Sequence, residues 1–247
     1  MATWLEGQWE SSVESGVPRR DRRSGPFRHY LPDHLGGWPV VVDDDLSSQL
    51  ATVEREVRAL NAPGAEALAG VARFLLRSEA IASSRIEGLA PSSQQVALAE
   101  LGRSESVQGV SQQAQLVANN MTIVREATTA LVDADEVTVE HVVELQRALL
   151  PDDPRHHGLR DVQNWIGGSD WHPIDADFVP PAPDRVPELM ADLLRYLNGA
   201  THSPLLQAAL VHAQFETIHP FTDGNGRVGR ALIHTVLARR GLTTTAV

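Results

Sequence analysis

Residues 219–230 constrain this chain more than any other stretch. They read His219-Pro220-Phe221-Thr222-Asp223-Gly224-Asn225-Gly226-Arg227-Val228-Gly229-Arg230. Pro220 ends a preceding helix, and Gly224 and Gly226 permit a tight turn with positive φ before a new helix begins. The free N–H groups of that new helix converge on one spot, with the positive end of the helix dipole behind them. Such a spot binds anions, phosphate above all. Arg227 and Arg230 lie on one helix face, so two guanidinium forks stand beside the turn, an arrangement suited to a polyphosphate. Asp223 would repel bound phosphates unless a cation bridged them, and Mg²⁺ resolves that conflict. His219 completes the set, because a neutral imidazole beside a phosphate can accept the proton of an attacking hydroxyl.

The rest of the chain reads as helix wrapped around this element. Asp43-Asp44-Asp45 offers an N-cap, after which Leu46, Leu50, Val53, Val57 and Leu60 recur at helical spacing. A second helix is expected from about 66 to Ile86, with Val71, Phe74, Leu75, Ala82 and Ile86 as its inner face, stopped by Gly88. Shorter and longer helices follow from Pro91 to Leu101, Ser111 to Leu131 and Thr138 to Leu150. Further helices run from Asp184 through Leu197, from Ser203-Pro204 to Ile218, and from the Gly224 turn to about Arg240. Residues 151–183 are punctuated by Pro and Gly, and they are the one place where a small hairpin is expected. Residues 1–44 read as an irregular arm anchored by Trp4, Trp9, Phe27, Tyr30 and Trp38. The expected fold is therefore all-α with one small β element. Its parts are the arm (1–44), an N-terminal helical region (45–110) and a core (111–247).

Composition narrows the function. A formal net charge of −11 argues against broad nucleic-acid binding, which needs a cationic surface. No lysine is present, so every permanently charged phosphate contact must come from arginine. Cysteine is absent as well, which excludes disulfides and thiolate metal sites and fits a reducing compartment. Without a secretory signal or a membrane-length apolar run, the expectation is a cytoplasmic location with no membrane partner.

Residues 219–230 resemble the signature of the Fic family, His-x-Phe-x-(Asp/Glu)-Gly-Asn-Gly-Arg-x-x-Arg, at every specified position. The resemblance extends to Gly158-Leu159-Arg160, Trp165-Ile166-Gly167-Gly168 and Phe178-Val179-Pro180-Pro181-Ala182-Pro183. It implies a Fic-type helical bundle and an enzyme that transfers AMP from ATP to a Ser, Thr or Tyr hydroxyl of a target protein, itself included. His219 would then be the base, Asp223 the Mg²⁺ ligand, and Gly224, Asn225 and Gly226 the anion hole. Arg227 would contact the departing phosphates and Arg230 the γ-phosphate. Phe221 would anchor the loop in the core, and residues 160–178 would form a flap that pins the target chain by strand-like pairing.

Ser83-Ser84-Arg85-Ile86-Glu87-Gly88 resembles the family's inhibitory motif, (Ser/Thr)-x-x-x-Glu-(Gly/Asn), through Ser83, Glu87 and Gly88. By that resemblance Glu87 pairs with Arg230 and takes the place of the γ-phosphate, so that ATP binds misaligned. Removal of AMP, transfer of another phosphate-containing group, and a non-catalytic helical interaction module are the alternatives. A homo-oligomer is among the expected states. Relatives usually carry more helix after the last one here, so a fragment is expected. Arg155-His156-His157 reads as a solvated loop, and His141, His202, His212 and His234 as structural or surface residues.

Overall fold

A computed structural model describes residues 2–12, 16–37, 40–60, 69–86, 88, 91–102, 111–151 and 153–243. Its helices are α1 (Asp44–Leu60), α2 (Ala69–Ile86), α3 (Ser93–Gly102), α4 (Gln112–Asp133), α5 (Val139–Leu149), α6 (Val186–Asn198), α7 (Pro204–Ile218) and α8 (Asn225–Arg239). Their starts follow local chemistry. Asp43 accepts from the Leu46 N–H at 2.8 Å, and Ser111 accepts from Ala114. Thr138 and His141 cap α5 reciprocally. None of the described helices is long and apolar enough to cross a membrane.

The main core lies where α5, α6, α7 and α8 meet. Leu189, Met190, Leu193 and Leu197 of α6 pack with Phe215 and Ile218 of α7 and with Val228 and Leu232 of α8. Each fully buried side chain of this size contributes about 1.5–3 kcal/mol. A second, smaller cluster joins Ile81 of α2 to Val96 and Ala99 of α3 and to Ala114, Val117 and Ala118 of α4. The inner face of α2 is therefore set by Ile81 and Ser84. Ala82 and Ile86, expected inside, are exposed. The side chains of Val71, Phe74 and Leu75 lie outside the described residues. Ala82 and Ile86 thus lie off the face that α3 and α4 cover.

Residues 1–44 correct the sequence reading. They hold strands β1 (Thr3–Trp9) and β2 (Gly25–Leu31), paired antiparallel with Trp4 opposite Tyr30 and Gly7 opposite Phe27. Gly7 discourages a strand assignment, yet a Cβ there would lie 2.6 Å from the Phe27 ring, so the glycine makes room for the cross-strand aromatic. The hairpin expected within 151–183 is reduced to bridges between Ile166 and Phe178 and between Ser169 and His172. The two regions join: the Tyr30 N–H donates to the Val179 carbonyl at 2.9 Å, and Trp9 meets Trp165 edge-on with ring centres 5.3 Å apart. Past β2, the buried Asp192 of α6 accepts from the N–H groups of Leu35 (2.6 Å) and Gly36 (3.3 Å), fixing the chain to the core.

Candidate active site

Helix α7 ends at Ile218, and His219 follows in the left-handed region, φ 49° and ψ 61°. A non-glycine residue pays roughly 1–2 kcal/mol for that conformation. The surroundings offset it. The His219 N–H donates to the Phe215 carbonyl at 2.8 Å, closing the helix. Phe221 is fully buried, 6.1 Å from the Phe215 ring centre to centre, as its expected role of anchor requires. Gly224 has φ 87° and caps the N-terminus of α8; any side chain there would be strained by that angle.

Asn225 plays a part that the sequence reading did not foresee. Its side chain accepts from the Phe221 N–H at 2.9 Å and donates to the Phe221 carbonyl at 2.8 Å, stapling the loop from inside. Only its backbone N–H, with those of Gly226 and Arg227, is left to meet an anion at the start of α8. Gln146 of α5, also missed, is fully buried and donates to the carbonyls of His156 (2.7 Å) and Asp223 (3.2 Å). His156 and His157 are not simply solvated. The Nδ1 of His156 lies 2.8 Å from Thr222 Oγ1, and the Nε2 of His157 lies 2.7 Å from the Leu150 carbonyl.

The charged residues meet as the helix spacing requires. Asp223 Oδ1 accepts from the Gly224 N–H at 2.5 Å and lies 3.5 Å from Arg227 Nη2, while Arg227 Nη1 donates to the Leu149 carbonyl at 3.3 Å. Among the described residues no three His, Cys, Asp or Glu side chains cluster as a metal cage. Asp223, partly exposed beside the N-terminus of α8, nevertheless fits Mg²⁺, which takes one or two protein carboxylates and completes its shell with other oxygens and water.

Burial holds the His219 imidazole below its ordinary value near 6.5; contact with the Glu216 backbone opposes this, and the Arg160 charge adds to it. Glu216 also places a carboxylate oxygen 3.8 Å from His219 Nδ1. Gly229 of α8 lets Glu216 and His212 approach, since a Cβ there would collide with the Glu216 carboxylate. Glu216 did not stand out in the sequence, because a glutamate in the last turn of a helix has no signature of its own.

Among the proposed inhibitory residues, Ser83 reaches the site. Arg230 Nε donates to Ser83 Oγ at 2.8 Å. Four residues on from Arg230 along α8, His234 Nε2 lies 2.8 Å from Glu79 Oε1 of α2, so the two helices meet in two polar rungs running antiparallel. Gly88 has φ 79°, the positive angle that suits a glycine at a helix end. Glu87 lies outside the described residues.

The Fic/DOC family model matches residues 136–237, a span that contains α5, the 160–178 segment, α6, α7 and nearly all of α8. Residues 136–237 thus match the Fic domain. The Fic relatives include "Protein adenylyltransferase fic-1" of Caenorhabditis elegans, 33% identical over 112 residues, which are 43% of this chain and 20% of that protein. "Protein adenylyltransferase Fic" of Drosophila melanogaster is 37% identical over 117 residues, 45% of this chain and 22% of its own. The chain thus spans about a fifth of the length of the curated relatives it matches. Among solved structures, a Fic family protein from Desulfovibrio desulfuricans G20 superposes with a TM-score of 0.62 at 26% identity, covering 81% of this chain and 59% of that one. A Fic domain-containing signalling protein from Bacteroides thetaiotaomicron superposes with a TM-score of 0.61 at 23% identity, covering 78% and 72%, which speaks to the fold. The Fic bundle is therefore the architecture of this chain, with the N-terminal hairpin laid on the 160–178 segment.

Proposed function

We propose that this Fic domain is a protein adenylyltransferase held off by its own N-terminal helical region. The observation that carries the reading is the sequence of conformations from α7 to α8: a left-handed His219, a buried Phe221, and a left-handed Gly224 that starts a helix bearing Arg227 and Arg230. Phosphates would rest on the N–H groups at the start of α8, between the two arginines. Asp223 would hold Mg²⁺, which neutralises charge on the phosphates when bound. The target's hydroxyl oxygen would attack the α-phosphorus of ATP. A new O–P bond forms, the bond from that phosphorus to the bridging oxygen breaks, pyrophosphate leaves, and His219 takes the hydroxyl proton. A lowered imidazole suits this role, since the base stays neutral further into mildly acidic solution.

The brake reading is that Glu87 occupies the γ-phosphate position by pairing with Arg230. The Ser83 contact to Arg230 supports it by bringing the end of α2 to the same guanidinium. Incubation of the Glu87→Gly protein with each labelled nucleotide and a lysate, followed by mass spectrometry of the labelled bands, tests both parts. Label from the α-phosphate of ATP on Ser, Thr or Tyr is the expected result. Label from another donor, or none from any, would replace the reading.

A further inference from the structure

Arg160 is buried, and its side-chain hydrogen bonds among the described residues go to carbonyl oxygens. Its Nε donates to His219 at 2.9 Å, Nη1 to Val162 at 3.0 Å, and Nη2 to Pro181 at 2.6 Å and Ile218 at 3.3 Å. Its own N–H donates to the Pro220 carbonyl at 2.9 Å. One cation therefore ties the last carbonyl of α7, the carbonyl of the left-handed histidine, Val162 inside the 160–178 segment and Pro181 just past its end. Asn164, from the same segment, donates through Nδ2 to the His219 carbonyl at 3.3 Å and the Phe221 carbonyl at 3.0 Å. The His219 carbonyl is thus held from two side chains. A positive charge among the last carbonyls of a helix is favourably placed. Only a planar fork with donors on three nitrogens can span these oxygens, which lysine's single ammonium cannot.

We propose that Arg160 and Asn164 are positioning residues for His219: they set its left-handed backbone and lock it in register with the 160–178 segment, so that a hydroxyl presented on that segment meets the imidazole. This rests on the transferase reading. The clamp works through peptide carbonyls and touches neither phosphate nor hydroxyl. Burial pulls Arg160 to about 10, still charged at neutral pH.

The test compares Arg160→Met, Arg160→Lys and Asn164→Ala, measured two ways. The first is the NMR titration of the His219 imidazole in the nucleotide-free protein, which needs no transfer activity. Its midpoint is expected to rise in Arg160→Met, which removes a nearby cation and admits water, and to rise less in Asn164→Ala. The second is steady-state transfer in a Glu87→Gly background. There kcat should fall about a hundredfold in Arg160→Met, with KM for ATP unchanged and little rescue by lysine. Unshifted His219 midpoints in Arg160→Met and Asn164→Ala would overturn the proposal. If Arg160→Met does not fold, the Asn164→Ala midpoint decides alone: a rise supports the clamp and no change refutes it. Should the Glu87→Gly protein with Arg160 and Asn164 intact transfer no AMP, the transferase reading fails while the titration still judges the clamp.

Discussion

Two segments converge on α8, and they are secured in different ways. The loop from His219 to Asn225 is tied at several backbone groups: His219 by Phe215, Arg160 and Asn164, Pro220 by Arg160, Phe221 by Asn225, and Asp223 by Gln146. The end of α2 reaches the same helix through the Ser83 hydroxyl on Arg230 and the Glu79 carboxylate by His234. Both rungs are side-chain contacts with partly exposed partners, and such contacts contribute about a kcal/mol each. The difference separates what must be constant from what can change. On the proposed function, the loop would be pre-set for chemistry, whereas the Ser83 contact at Arg230 would be exchanged for a phosphate.

The largest expected effects fall on the loop. In a Glu87→Gly background, His219→Ala should lower transfer by about a hundredfold to ten-thousandfold, the range of general base catalysis, while ATP binding measured by calorimetry persists. Phe221→Ala should destabilise the fold by about 3–5 kcal/mol in denaturant unfolding, because it empties a fully buried site beside Phe215. A loss under 1 kcal/mol would show that the loop is not anchored by its aromatic.

Effects at α2 should be smaller and of opposite sign. Glu87→Gly should raise labelling by about tenfold or more, the worth of one charge-assisted contact. Ser83→Ala should raise it only a few-fold. Equal gains from the two would erase the division of roles between them. The pH dependence sharpens the same contrast. His219 titrates below its ordinary value when folded, so the folded state binds fewer protons than the unfolded chain just below pH 6.5. Transfer should hold through that region and then fall as the imidazole protonates. An acid limb at or above pH 6.5 would contradict the buried setting of the base.

The loop was legible because its constraints are local. Proline ends a helix, glycine permits a left-handed turn, and arginines three apart share a face, so residues 219–230 announce their geometry without reference to the rest of the chain. The supports of that loop were not legible. Gln146 and Asn164 act across long sequence separations, and an amide that donates to a distant carbonyl leaves no pattern around itself; Glu216 stands three residues from His219, but a glutamate in the last turn of a helix has no signature. Gly158-Leu159-Arg160 stood out by resemblance alone, with no hint that the arginine clasps His219. The N-terminal hairpin was hidden for another reason. Gly7 and Pro26 are poor strand residues, and what makes the strands is an aromatic layer built with Trp165 and Phe178, remote in sequence. Helix starts fared well and the inner face of α2 did not, since a cap is a local device and a buried face is chosen by the neighbours.

The account stands on His219 acting as the base for AMP transfer at a site released by removing Glu87. The most direct measurement is the intact mass of purified Glu87→Gly protein after incubation with ATP and Mg²⁺, with a candidate target included, beside the Glu87→Gly/His219→Ala double variant. The account predicts an AMP adduct in the first and none in the second. An adduct that survives the loss of His219 would contradict it.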